Sequence, residues 1–496
     1  MASAAILSFQ PELPQVLPTI HGNTDYRDFR DQLLRIDQLL LATGLEEKLV
    51  RSDLERWSAA AEEELTPSAQ QYRQLHSRRA LRCTIARLLL KEDYRGFASR
   101  LADSALLQYF CGVSRVDLIK VPSKSTLQRD SSLWPESEIR AAIYELLSCG
   151  VATPQKIHLP QALDLESAFL DTTCLEANIH YPVDWVLLRD ATRTLVKAIQ
   201  LIRTHGLKHR MPAPETFLTR INTLCMAMTQ RARTQSDSLR QRKRTLRQMD
   251  RVVGTVRSHA RRYHTVLDQR WQETDLTRPQ AEQVLRRMDR VLKQLPQARQ
   301  QARQRILKGE AVPNEKKILS LYEPDVHVIV RRKAGVEVEF GNTLLLAESS
   351  QGLIMDWELF QKSAPADSLL LPRSIGRMEE AYGQKIKAVG ADRGFDSQVN
   401  QDGLAQEKIY NGVCPRNPRQ LRQRKSQWKF KRLQRRRAQT EGRIAILKNT
   451  LGAGTMRSKG FASRNATVTW TVLVHNLWVL VRLQRRQPKE MQAEAA

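Results

Sequence analysis

SAFLDTTCLEANI, residues 167–179, is the stretch on which the fold turns. It is short and rich in Thr, Phe and Ile, residue types that suit a pleated, half-buried surface, and it reads as a strand. Helical texture resumes at Asp184 in DWVLLRDATRTLVKAIQLI and continues, strongly basic, to about Gly309. Strand texture returns only in VEVEFGNTLLLAESSQGLIMDWELF (336–360), where Asn342–Ala347 and Leu353–Leu359 flank ESSQG as a hairpin with Gly352 in the turn. KIKAVGADRGFDS (385–397) reads as a strand closing at Asp392, followed by a helix over about 396–406 that Asp396 would cap. EKIYNGVC reads as a further short strand, and a helix then runs from about Ser426 to Leu451, where LGAG ends it. Without the long helical insertion, this is a mixed α/β layer with helices covering a sheet.

Upstream, residues 25–155 read as helical, with apolar residues three and four apart in YRDFRDQLLRIDQLLLATG and RRALRCTIARLLLKEDY. A helix start at Ser123 or Ser125 leaves two readings open, a helix-turn-helix or a plain helical bundle. The expected division is a tail (1–24), a helical DNA-binding domain (25–155), the first core strand (160–183), a basic helical insertion (184–312), the rest of the catalytic core (313–485) and a second tail (486–496). Within the insertion Leu246, Met249, Val253, Val256, Ala260, Tyr263 and Leu267 follow a heptad rhythm. Leu285, Met288, Leu292 and Leu295 repeat it after a turn at QETDLTRPQ, so an antiparallel hairpin projecting from the body is expected. Its Arg-rich faces suit either DNA or solvent.

The chain's 496 residues exceed one compact core, and 41 % hydrophobic with 27 % charged residues is a globular balance. Lys and Arg number 80 against 53 Asp and Glu, a formal charge of +27, which points to a polyanionic partner, most simply nucleic acid. Val468–Leu483 is apolar but short for a membrane span and holds His475 and Asn476, so it reads as a buried helix, and no membrane role is expected. The first residues lack a basic n-region and no secretory signal is evident. Six scattered cysteines form no C-x-x-C pair and read as reduced thiols, with no zinc site expected.

Between Glu407 and Glu490 the only acid is Glu441, in QRRRAQTEGRIAILK (434–448). An acid on a phosphate-binding surface weakens binding, so its presence makes more sense as a metal ligand. Asp171 and Asp392 stand near strand ends, where α/β folds place binding groups. Three carboxylates meeting at one point repel unless cations neutralise them, and hard oxygen ligands suit Mg²⁺, with Mn²⁺ as a substitute. Two such ions would serve an in-line phosphoryl displacement. At α-helical pitch Arg437 and Lys448 share a face with Glu441, Arg437 to clamp a phosphate and Lys448 to add a point charge; the alternative is a surface ion-pair row. RQLRQRKSQWKFKRLQRRR (419–437) mixes cations, including Arg435 and Arg436, with Trp428 and Phe430, and Arg443 continues the series; this suits phosphate contact and base stacking, or a solvated basic helix.

Arg437, Glu441 and Lys448, as R-x3-E-x6-K, resemble the end of the Y-x2-R-x3-E-x6-K signature of bacterial insertion-sequence transposases of the DDE class. LDTTCLEANIHYP and GADRGFDS resemble the two aspartate segments of these enzymes, and YRGFASRLADSALLQYFCGVSRVDLIKVPSKSTLQR (94–129) their N-terminal domain. The resemblance implies a ribonuclease-H-like catalytic core with Asp171, Asp392 and Glu441 as ligands of two Mg²⁺ ions. It implies cleavage at transposon ends followed by attack of a 3′-hydroxyl on target DNA, with Arg437 and Lys448 on end phosphates. It further implies a homodimer on double-stranded DNA, free in the bacterial cytoplasm or on the nucleoid. The signature tyrosine is replaced by Gln434. Two rivals share these residues: a nuclease of the same fold that cuts without joining, and a non-catalytic DNA-binding protein.

Overall fold

The computed structural model describes residues 17–61, 65–113, 119–230, 236–333, 336–451 and 456–485; both terminal segments beyond these lie outside the described residues. Seven helices come first: α1 (Thr24–Thr43), α2 (Leu45–Ala59), α3 (Pro67–Leu89), α4 (Tyr94–Asp103), α5 (Ala105–Cys111), α6 (Lys124–Asp130) and α7 (Glu136–Ala152). Their starts follow capping chemistry. Thr66, Asp93, Ser104 and Ser123 each accept a backbone N–H of the first turn, and Ser123, rather than Ser125, begins α6. Helix α6 has only 7 residues and is separated from α5 by residues 112–123, so the tight turn of a helix-turn-helix is not made between them.

The sheet begins with β1 (Ser167–Glu176). The insertion follows as α8 (Asp184–Thr204), α9 (Pro214–Thr229), α10 (Ser236–Arg270) and α11 (Arg278–Ala302). The remaining elements are β2 (His327–Lys333), β3 (Val336–Ser349), β4 (Ile354–Leu359), α12 (Asp367–Tyr382), β5 (Ala388–Ala391), α13 (Gln398–Gln406), β6 (Tyr410–Val413), α14 (Pro418–Arg424), α15 (Trp428–Ala445) and α16 (Phe461–Arg485). The order across the sheet is β2-β3-β1-β5-β6, with β4 also paired to β3. β1, the long centre strand, is antiparallel to β3 and parallel to β5, which is parallel to β6. Strand β2, which pairs with β3, is an addition to the expected set. The hairpin β3–β4 forms where expected, with Gly352 at φ +87°, a left-handed conformation natural to glycine.

Alternation along β1 divides its side chains between two layers. Ala168 and Leu170 join a large core containing Leu33, Leu81, Ile143, Leu346, Leu371 and Leu473, so α1–α7, the sheet, α12 and α16 share one interior. The helical N-terminal region is thus no separate domain. α16, the one described helix apolar enough to cross a membrane, is the mostly buried spine of that core. Its Asn476 side chain accepts from Ile354 N–H and donates to Ile354 C=O, each at 2.9 Å. Phe169 faces the other way, packing with Ala388 and Leu433 under α15.

The insertion has its own core. All seven residues of the α10 seam are buried. On α11 the buried row is Ala281, Val284, Met288, Val291, Leu295 and Ala298, with Leu285 and Leu292 only packed along its edge. The expected turn carries a Thr277–Gln280 capping box. The hairpin does not project alone: it packs on α8 and α9 as a helical bundle, and residues to Leu321 contribute. The heptad seam is therefore closed within one chain.

Candidate active site

Asp171 lies on β1 on the Phe169 side, under α15, and Asp392 directly follows β5, the parallel neighbour whose Ala391 pairs with Leu170. Small residues bring α15 close to these strands. A Cβ at Gly390 would stand 2.7 Å from the Phe169 ring, and one at Gly412 would stand 2.5 Å from the Val389 carbonyl and 2.8 Å from Leu433. Gln434 then donates from its amide to the carbonyls of Ala391 (3.2 Å) and Gly412 (2.6 Å), at the ends of β5 and β6. The residue that departs from the family signature thus fastens the helix to the sheet.

The inward stripe of α15 is Phe430, Leu433, Arg437, Thr440 and Ile444, the three-four rhythm of a packed face, with one cation among its members. Arg437 Nη2 lies 3.4 Å from Asp171 Oδ2, 4.0 Å from Asp392 Oδ2 and 3.9 Å from Glu441 Oε1. Three acids far apart in the chain are therefore gathered round one nitrogen. The ring opens to solvent on one side, since Asp171 is 13 % exposed, Asp392 41 % and Glu441 65 %. Burial pushes the Asp171 carboxyl up to about 6; Arg437 and the Thr172 N–H oppose the rise, while Asp392 and Glu441 add to it. The Nε of Arg437 is buried without a partner, and the 3.4 Å contact with Asp171 is long for a hydrogen bond.

The other basic-helix residues separate into two groups. Arg436 is an internal clamp: it pairs with the buried Glu348 at 2.8 Å, donates to the carbonyls of Ser349 and Ser350, and lies over the Phe169 ring. Thr440 donates to the same Glu348 carboxylate at 2.7 Å. Arg443 tucks beneath the β3–β4 turn, where a Cβ on Gly352 would meet its guanidinium at 2.7 Å. These two side chains belong to the fold rather than to a free surface. Arg435 is exposed, and so is Trp428, with Arg432 stacked over its ring. Lys448 falls in a π-helical turn, Ile446–Leu451, so it does not continue the α-helical spacing from Arg437 and Glu441.

Three other acids close in sequence to these segments, Asp184, Asp356 and Asp396, are engaged elsewhere. Asp184 accepts from Gln301 and Arg305, and Asp356 from Ser374 and Arg377. Asp396 accepts from Gln401 and from Arg416 N–H; Ser397, not Asp396, caps α13. His475 is buried in α16, where burial drives its pKa down to about 4. A fourth carboxylate beside the site was not expected. Asp367, at the start of α12, accepts from Thr172 Oγ1 at 3.2 Å, and its Oδ2 crowds the space next to Gly394 that Asp392 Oδ1 also borders.

The oxygen-only donor set is of the type that suits a hard divalent cation, and Asp392 and Glu441 each add to a rise in the Asp171 pKa that burial chiefly causes. Among the described residues no group of three or more Asp, Glu, His or Cys side chains is placed to hold a metal ion; the Arg437 guanidinium lies among the three acids. Compared with protein-family models, with curated proteins and with solved structures, the chain matches none.

Proposed function

We propose that this chain is a metal-dependent DNA transposase of the DDE class with a ribonuclease-H-like core. The observation that carries the reading is the meeting of Asp171, Asp392 and Glu441 around a single guanidinium nitrogen. Strand order supports it: three antiparallel strands, β4-β3-β1, continue into the parallel pair β5 and β6, the arrangement expected of that core. Charge supports the substrate class, since +27 on the chain favours a polyphosphate and would make affinity fall steeply with salt.

Asp171, Asp392 and Glu441 would hold Mg²⁺ or Mn²⁺, with Asp367 close enough to orient the Asp392 side of the site. When bound, the ions supply an activated oxygen nucleophile and stabilise the leaving oxygen of a phosphodiester. The chain's own residues do the rest. Arg437, freed from the carboxylates, turns its fork toward a phosphate. Trp428, at the start of α15, and Arg435, midway along it, present an exposed ring and a cation. Gln434, Arg436 and Thr440 keep Glu441 in place over the strands by fixing the helix.

The test is cleavage and joining. Purified protein is mixed with duplexes taken from the DNA on either side of its coding region, a plasmid target and Mn²⁺. End cleavage and strand-transfer products are expected, and Asp171→Asn, Asp392→Asn or Glu441→Gln should each remove both while DNA binding persists. Cleavage without joined product would mean a nuclease; neither product, with binding intact, would mean a DNA-binding protein only.

A further inference from the structure

A second basic concavity lies away from the three acids. The residues after β1, Asn178–Val183, line a cleft of about 470 Å³ together with α8, Leu319–Glu323, residues 456–459 and Arg464. At the rise of a strand, about 3.3 Å per residue, this is roughly 20 Å from Asp171 along the same chain segment. Arg189, Arg193 and Lys197 stand at intervals of four on α8, forming one row along the cleft. Arg193, Lys197, Arg287 and Lys459 are exposed and have no ion-pair partner among the described residues. Two aromatic rings share the walls: Tyr181, 74 % exposed and held edge-on by Phe340, and Tyr322, 40 % exposed.

Beneath them Arg464 is 1 % exposed. One of its terminal nitrogens pairs with Glu323, but its Nε and Nη2 have no partner, an arrangement that costs stability unless an acceptor arrives. Glu323 also accepts from Gly460 N–H at 2.9 Å, at the start of α16, and the other acid lining the cleft, Asp190, is paired with Arg189 at 2.8 Å, so both lining acids are already engaged. Exposed cations in a row, flat rings beside them and an unsatisfied guanidinium below are the elements that track a strand by its phosphates and stack its bases. A space of this size takes one or two unpaired nucleotides, not the girth of a duplex.

We propose that this cleft binds an unpaired DNA strand, phosphates on the Arg193–Lys197–Arg287 side and a base against Tyr181 or Tyr322. Only the choice of DNA as the polyanion rests on the transposase reading. The test uses the full chain carrying Asp171→Asn, in EDTA, so binding is measured without catalysis. The probe is a fluorescent oligothymidylate of roughly 12 nucleotides, matched to common single-strand site sizes, with 5-iododeoxyuridine at its centre. Photocrosslinking should place adducts on Tyr181 or Tyr322. The Arg193→Ala, Lys197→Ala, Arg287→Ala triple variant should bind about tenfold more weakly, with a shallower dependence of affinity on salt. Tyr181→Ala should weaken binding about tenfold and leave the salt slope unchanged. Adducts confined to Trp428, unchanged affinity in the triple variant, or equal competition by tripolyphosphate would overturn the proposal. Loss of strand binding in the cleft variants would uphold it even if the cleavage assay failed.

Discussion

The Asp171 carboxyl is held under α15 with its pKa raised to about 6, chiefly by burial. Its unfolded value is about 3.9, so the ionised form is the one the fold disfavours. Its contribution to stability is complete below about pH 4 and is lost as pH rises through about 6. At neutral pH the penalty is on the order of 3 kcal/mol, at about 1.4 kcal/mol per pH unit of separation. Asp171→Asn should therefore raise the melting temperature of metal-free protein at pH 7.5, with the gain vanishing near pH 4, while end cleavage is abolished. Thermal melts across that range check the sign, and added Mg²⁺ should narrow the gap by stabilising the wild type alone. Arg437 makes the complementary case. Arg437→Ala removes the cation at the centre of three acids and should cost about 3 kcal/mol without metal, with a substantial part restored by Mg²⁺ in the same melts. The three acids were legible because a lone carboxylate in a basic stretch, and two at strand ends, are chemically conspicuous. Arg437's inward position was not, since it occupies a core step that apolar residues normally fill. Nor was Asp367, whose context, APADSLL, is that of any helix start.

Helix α15 reaches the site because β5 and β6 present glycine beneath it. Gly412→Val would drive a side chain into the Val389 carbonyl and Leu433, and a backbone atom cannot move aside as a side-chain tip can. Loss of several kcal/mol is expected, on the order of an overpacked core, together with loss of cleavage, because Glu441 travels with the helix. Gln434→Ala is the milder version: the Gly412 and Ala391 carbonyls lose this donor, although Ala391 keeps the Cys414 N–H, a cost of about 1–3 kcal/mol. Urea titration of both variants beside a cleavage assay would separate stability from positioning, since Gln434→Ala protein remains folded while its rate falls. At this scale the hairpin, the short parallel strands and the basic helix could be read from alternation and turn chemistry. Strand β2 could not. Among the described residues it pairs only with β3, its apolar run His327–Val330 is too brief to separate strand from loop, and Val330 is 49 % exposed. The π-turn after Ala445 was likewise hidden, because a change of helical pitch leaves no mark on composition.

Across the molecule, the two large cores divide the chain differently from its sequence texture. Helical texture from 25 to 155 suggested a unit that could be cut away, whereas the core joins α1–α7 to the sheet and α16. The insertion looked like an appendage, yet Leu188, Ile199, Ile221, Val256, Met288 and Leu321 close a core of their own. Periodicity shows which residues face inward and says nothing about which neighbour they meet, so both errors have one physical origin. Opposite outcomes follow for two truncations. Removing residues 1–158 strips one sheet face and much of α16 of their cover, leaving an apolar surface far larger than soluble monomers expose, and that fragment should aggregate. Residues 184–322 keep their interior when excised and should give a soluble helical unit with a cooperative thermal transition by circular dichroism. Within it Met288→Ala, at a fully buried step of the α10–α11 seam, should cost about 2–5 kcal/mol. The same substitution in the full chain should lower the bundle's transition and leave that of the sheet core in place, because no residue of one large core belongs to the other. A single transition shifted as a whole would instead mean that the two cores unfold together.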